Sequence, residues 1–113
     1  MKKAHSVQPS VTQMKDGSLV LTGGRPGIFA WMNRAGDGKD WLQVDLQSHH
    51  NENQPQDAIM RSDQTTSYSE VVALDEQSIM VMYDRIPHGW SAIPENLRDT
   101  NSIWVVKLTW NTP

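Results

Sequence analysis

The sequence predicts an all-β fold of short antiparallel strands stacked as two sheets. About seven segments have the alternation typical of strands, and almost none has helical spacing. Short polar turns separate most of these segments, and several segments are apolar on both sides. The segments cover residues 10–14, 18–23, 28–33, 41–46, 67–74, 78–84 and 103–110.

The first four segments form the N-terminal half. Lys15-Asp16-Gly17 joins the first two, and this composition favours a tight hairpin because Asp and Gly tolerate positive φ. The turn Gly24-Arg25-Pro26-Gly27 leads into the third segment, and a Gly-rich stretch leads into the fourth. These connections predict four consecutive antiparallel strands.

The C-terminal half repeats this pattern with three segments. Asp75-Glu76-Gln77 is the hairpin turn between the segments at 67–74 and 78–84. Two long polar stretches, 47–66 and 86–102, are predicted as loops, and no helix longer than about two turns is expected. Loops of this length commonly form the rims of functional sites or are disordered connections.

Apolar residues occupy both faces of several predicted strands. In the sixth segment Ile79 and Val81 alternate with Met80 and Met82, and all four are suited to burial. Sheets buried on both faces normally need helices to cover them, and no helix is predicted here. Antiparallel sheets that cover one another resolve the conflict, as in a β-propeller, where each blade lies between two neighbours.

The predicted organisation is therefore one domain, residues 1–113, with two blades. The first blade covers about residues 8–47, a long loop covers 47–66, and the second blade covers about 67–111. The two halves match at an offset of roughly 60 residues, which exceeds a propeller repeat by the length of the loop. The second blade lacks a fourth strand, and a bare edge favours pairing with another chain. A small antiparallel β-sandwich is the alternative fold.

Composition excludes several functional classes. The chain is 37% hydrophobic and 20% charged, with a net charge of −3 and scattered basic residues, so we expect no nucleic-acid partner. We also expect no membrane segment, because no stretch of about 18 apolar residues occurs. The N-terminus lacks the apolar run of a signal peptide, which leaves the compartment undecided, with the cytoplasm as the default. No cofactor or metal is expected, since the adjacent His49 and His50 lack the spacing of metal ligands.

Four stretches carry a family signature. They are LVLTGGRPGIF at 19–29, GKDW at 38–41, TSY at 66–68 and VMYD at 81–84. In this order and spacing they resemble the last third of sialidase-like six-bladed β-propellers with BNR (Asp-box) repeats. The box, Ser-x-Asp-x-Gly-x-Thr-Trp, is degenerate here: Gly38 and Trp41 remain, whereas Arg34, Gly36 and Asp40 stand in its other positions.

The resemblance implies a site for a sialic-acid-like sugar. Tyr68 matches the family's tyrosine nucleophile, which needs a carboxylate to take its proton, and Glu70 could serve as a local substitute on the same strand face. Arg25 matches one of three arginines that clamp the substrate carboxylate, and its flanking glycines would let the backbone approach a ligand. Asp84 matches a carboxylate that holds an arginine in place. Trp90, in a long loop, could stack on a sugar face.

Three functional hypotheses follow. The first is binding of a glycan or anionic sugar without cleavage, which we favour because most of the family's catalytic groups are absent from this chain. The second is an active sialidase-like hydrolase once the chain assembles, and the third is a truncated mobile-gene fragment with no present activity. Assembly is expected in each functional case: a cyclic trimer of two-bladed chains first, and a dimer that pairs open strand edges second.

Overall fold

The computed structural model describes residues 9–89 and 92–110. These residues form seven strands in two antiparallel sheets, which confirms the predicted all-β class. Such a pair of sheets is compatible with two propeller blades and also with a small β-sandwich.

The four-stranded sheet contains the N-terminal half in the order β1-β2-β3-β4. Its strands are β1 (Ser10–Gln13), β2 (Leu19–Gly24), β3 (Ile28–Asn33) and β4 (Leu42–Asp45). Each strand is a hairpin neighbour of the next, as the turn signals predicted. The Gly24-Arg25-Pro26-Gly27 turn joins β2 to β3.

The three-stranded sheet contains the C-terminal half in the order β5-β6-β7. Its strands are β5 (Glu70–Asp75), β6 (Ser78–Arg85) and β7 (Ser102–Thr109). The predicted segment at 67–74 begins too early, because Ser67 and Tyr68 precede the paired part of the strand. No fourth strand joins this sheet within residues 9–89 and 92–110, in agreement with the sequence prediction.

Residues 47–66, predicted as a long loop, contain one short helix, which stays within the predicted limit of about two turns. Helix α1 (Leu46–Asn53) has eight residues, and one 3-10 turn (Gln56–Ala58) follows it. The Asp45 side chain caps α1 by accepting a hydrogen bond from the Ser48 amide at 3.0 Å. Only Leu46 and His50 of the helix are buried. A single pair four residues apart is too weak a periodic signal to predict, so capping and tertiary contacts decide this helix.

The core lies between the facing surfaces of the two sheets. One surface contributes Val20, Ile28 and Ala30, and the other contributes Val71, Ile79 and Val81. A buried hydrogen bond of 2.9 Å from Ser69 Oγ to Thr22 Oγ1 joins the sheets, and β5 contacts both β1 and β2. The first strands of the two sheets are therefore neighbours, whereas β4 and β7 lie at the opposite side.

The connection between β3 and β4 is the stretch that resembles a degenerate Asp-box. Asn33, fully buried, donates from Nδ2 to the Asp40 carbonyl at 2.9 Å and accepts from the Gly38 amide at 3.1 Å. Asp37 accepts from the Lys39 amide at 3.0 Å, and the Trp41 indole donates to the Gly38 carbonyl at 3.0 Å. Asn33 and Asp37 thus brace this turn in place of the box positions that Arg34 and Gly36 occupy.

Candidate functional site

Arg25 lies in the turn between β2 and β3 with a left-handed backbone (φ 81°). A Cβ at Gly24 would collide with the Gly27 carbonyl, and Gly27 itself has φ 74°. These glycines are therefore required by the turn itself. This corrects the prediction that they leave room for a ligand, because the turn's own backbone fills the space beside Gly24.

The Arg25 side chain crosses from the first half of the chain to the second. Its Nη2 donates to the Thr66 carbonyl at 2.9 Å, and its guanidinium carbon lies 5.7 Å from the centre of the Tyr68 ring. This separation is within the range of a cation–π interaction. The structure thus brings Arg25 and Tyr68 together at one end of the molecule, as the sequence predicted.

Tyr68 is held by a strained segment that leads into β5. Its neighbour Ser67 is fully buried and has a left-handed backbone (φ 65°), which is uncommon for a residue other than glycine. The Tyr68 amide donates to Thr66 Oγ1 at 3.2 Å, and the side chain remains 46% exposed. Strained backbone of this kind clusters at functional sites, and here it presents an aromatic ring to solvent.

Asp84 anchors this segment from the end of β6. Its carboxylate accepts hydrogen bonds from Thr65 Oγ1 at 2.6 Å, from Thr66 Oγ1 at 2.6 Å and from the Thr66 amide at 3.0 Å. The Thr66 carbonyl in turn accepts a hydrogen bond from Arg25. Asp84 therefore positions the arginine indirectly, by holding Thr66 in place. The resemblance implied direct contact between this carboxylate and an arginine of another blade; within this chain Asp84 binds two threonines.

A groove with a volume of about 480 Å³ runs along this end of the three-stranded sheet. Tyr68, Glu70 and Asp84 all line it, together with Thr66, Ser69, Met82, Tyr83 and Ile103. Glu70 is exposed and accepts a hydrogen bond from Ser10 Oγ at 3.3 Å. Among the described residues, no hydrogen bond joins Glu70 to the Tyr68 hydroxyl, so the two groups share a groove without forming a preassembled nucleophile and base.

Other predicted features contribute less to this site. Trp90 lies outside the described residues. Across residues 9–89 and 92–110 no group of three or more His, Asp or Glu side chains is placed to hold a metal ion. In the same part of the chain, no helix has the length and apolar character needed to cross a membrane.

Sequence reasoning missed the residues that support the site. Thr65 and Thr66 bind Asp84, and Ser67 takes the strained conformation, yet none of the three was singled out. The signal that could have found them is the run Thr65-Thr66-Ser67 directly before Tyr68, since short hydroxyl side chains often bond to nearby backbone.

His50 has a structural role that the sequence did not reveal. The ring is buried. Its Nε2 lies 2.7 Å from the Ala58 carbonyl oxygen, and its Nδ1 lies 2.8 Å from the Tyr83 hydroxyl. A carbonyl can only accept, so Nε2 carries the hydrogen, and in the neutral ring Nδ1 accepts from Tyr83. His50 therefore links α1 to β6 beside the core.

Comparisons with protein-family models, curated proteins and solved structures give no match. The likeness to sialidase-like propellers therefore depends on the four sequence stretches.

Proposed function

We propose that this chain is a sialidase-like binding module that holds an anionic sugar or glycan in the groove lined by Tyr68, within reach of the neighbouring Arg25 guanidinium. The observation that carries the proposal is the position of the Arg25 guanidinium beside the half-exposed Tyr68 ring. A guanidinium forms strong charge-assisted hydrogen bonds with a carboxylate, and an aromatic ring packs against the apolar face of a sugar. A sialic-acid-like ligand offers both features.

The surrounding contacts support binding at a fixed geometry. Asp84 holds Thr65 and Thr66, and the Thr66 carbonyl orients the guanidinium. The two groups that would contact ligand therefore belong to one braced unit, which lowers the entropic cost of binding. Glu70, which also lines the groove, would accept hydrogen bonds from sugar hydroxyls.

Sialidase-type catalysis is the second candidate, favoured by the presence of Tyr68 and Glu70 in one groove. Tyr68 would attack the anomeric carbon while the bond from that carbon to the aglycone oxygen breaks; Glu70 would accept the phenol proton, and water would protonate the departing aglycone. The family's other arginines and its general acid have no counterpart in this chain, so we expect little or no turnover of a fluorogenic sialoside. Robust turnover that Tyr68→Phe abolishes would establish the catalytic function instead.

Ligand titration followed by NMR tests the binding proposal. We expect the methyl glycoside of N-acetylneuraminic acid to shift the resonances of Tyr68 and Glu70, and neutral methyl galactoside to bind more weakly. Arg25→Ala removes a charge-assisted contact worth about 1.5–3 kcal/mol, so affinity should fall roughly 10–100-fold. Arg61→Ala is the matched control, because this arginine is exposed in a loop ion pair with Asp63.

Two results would refute the proposal. One is binding of the acidic sugar that Arg25→Ala leaves unchanged while the variant keeps the thermal stability of the parent chain. The other is resonance shifts confined to residues outside the groove.

A further inference from the structure

At the side of the molecule formed by β4 and β7, one sheet extends beyond the other. We call this offset the step. The four-stranded sheet ends in β4, whereas the facing sheet ends one strand earlier in β7. Within the described residues nothing pairs with the outer edge of β4 or of β7. Unpaired edges of this kind are templates for pairing with another chain.

The step exposes apolar side chains that point toward the core. Leu42 and Val44 share a face with Met32 and Ala30, which belong to the core side of their sheet, yet they are 63% and 41% exposed. They line an apolar groove of about 210 Å³ with Leu108 and Trp110 of the other sheet. Arg34 is the one charged residue among those that line it.

We propose that a second copy of this chain fills the step, giving a two-fold dimer in which β4 of each copy pairs with β7 of the other. A two-fold axis parallel to the strands places each four-stranded sheet beside the partner's three-stranded sheet. Each layer of the dimer then has seven strands, and both steps are filled at once. This surface is separate from the groove lined by Tyr68 and does not depend on the function of that groove.

Strand direction permits this pairing. β4 ends at Asp45, which pairs with Phe29 at the end of the molecule where Arg25 lies. β7 starts at that same end, because Ser102 pairs with Arg85 at the end of β6. β4 and β7 therefore run in opposite directions, and rotation about an axis parallel to the strands preserves this relation. The new pairs are antiparallel, as in the rest of both sheets.

Side-chain direction also fits. In an antiparallel pair, directly opposed residues point to the same face. Two registers are possible. In one, Leu42 lies opposite Leu108 and Val44 opposite Val106. In the other, Leu42 lies opposite Trp110 and Val44 opposite Leu108. Both registers bury the apolar groove and leave Gln43 and Lys107 on the outer surface.

The area available is that of a small interface. β4 has four residues, which span about 13 Å, whereas the eight residues of β7 span about 26 Å, and two layers spaced about 10 Å apart are roughly 20 Å thick with their side chains. The paired strands alone therefore cover roughly 250 Å² per copy, and contact along the whole of β7 would give roughly 500 Å² per copy, or about 1,000 Å² in total, which is the lower limit for a specific interface.

The exposed apolar side chains bear on the assemblies expected from the sequence. A cyclic trimer would stack the outer faces of both sheets. The outer face of the three-stranded sheet is apolar and open, since Met82 is 42%, Val105 51% and Ile103 72% exposed. On the outer face of the four-stranded sheet, by contrast, Trp31 is only 3% exposed and stacks on Phe29 at 5.6 Å. The exposed core-facing side chains, Leu42 and Val44, lie at the step, and the edge-paired dimer covers them, which favours that assembly.

Engineered disulfides test the pairing directly, because the chain contains no cysteine. Gln43→Cys combined with Lys107→Cys, or with Thr109→Cys for the other register, should give a covalent dimer on oxidation. Within one chain these positions lie on opposite outer surfaces, more than about 10 Å apart, whereas a disulfide needs Cα atoms within about 7 Å. Gln43→Cys alone and Gln13→Cys with Lys107→Cys are controls that should remain uncrosslinked.

A charge substitution tests the same interface without cysteine. Leu42→Lys should convert the dimer to a monomer at micromolar concentration, whereas Val11→Lys, at a side chain of almost equal exposure on β1, should leave the dimer intact. Circular dichroism should show that both variants fold. A native mass equal to one chain at 100 µM, a trimer mass, or crosslinking of the control pair to the same extent would overturn the proposal.

Discussion

Replacement of Asp84 tests whether the site depends on a single carboxylate. Asp84→Ala removes the acceptor of two hydroxyl hydrogen bonds of 2.6 Å and one amide hydrogen bond of 3.0 Å. Thr65 is fully buried, so its hydroxyl hydrogen would lose the acceptor that Asp84 provides without gaining access to water. We expect the variant to lose both stability and the position of Arg25.

The magnitude follows from these contacts. Hydrogen bonds to a charged group contribute about 1.5–3 kcal/mol each, and bonds to one carboxylate are not additive, so we expect Asp84→Ala to lower the free energy of unfolding by about 3 kcal/mol. Asp84→Asn keeps one acceptor oxygen and should cost about 1–2 kcal/mol. With a urea m-value of about 1.5 kcal/mol/M, the alanine variant's midpoint should fall by roughly 2 M.

Urea unfolding followed by circular dichroism measures this effect. Asp63→Ala is the control, because Asp63 is 73% exposed in a surface ion pair, which contributes at most about 1 kcal/mol. A midpoint shift for Asp84→Ala no larger than that of Asp63→Ala would refute the claim that this carboxylate anchors Thr65 and Thr66. The alanine variant should also bind the acidic sugar less tightly, since the Thr66 carbonyl would no longer be fixed.

Two further predictions concern Tyr83. Tyr83→Phe leaves Nδ1 of the buried His50 without its 2.8 Å partner, so we expect a loss of about 1–3 kcal/mol in unfolding free energy by denaturant titration, and a loss below 0.5 kcal/mol would contradict the contact. Burial raises the pKa of the Tyr83 phenol above its ordinary value of 10.0. The unfolded state then loses its proton first, so stability should be complete below pH 10 and fall as the pH rises from there toward the folded-state pKa. Tyr83→Phe should flatten this alkaline decline relative to the parent chain, and an unchanged decline would show that another group causes it.

The sequence predicted most of the fold because its signals are local. Alternation identified all seven strands to within a few residues, and Asp-Gly and Asp-Glu-Gln marked the two hairpins that the structure shows between β1 and β2 and between β5 and β6. The same alternation predicted three strands for the second sheet, which is the number that it has within the described residues. Helix α1 escaped prediction because the packing of Leu46 and His50 against distant residues stabilises it.

From the sequence, the resemblance to sialidase-like propellers pointed to Arg25, Tyr68 and Asp84 as candidate site residues, and strand alternation added Glu70. Only the tertiary structure decided how they are arranged. The contact from Arg25 to Thr66 and the bonds from Thr65 and Thr66 to Asp84 join residues that are between 18 and 41 positions apart. Such contacts depend on how the two sheets pack, and no periodicity within a single strand encodes that packing. The step at β4 and β7 also depends on this packing. The number of strands can be predicted from the sequence, whereas the alignment of one sheet over the other is set by the core that they share.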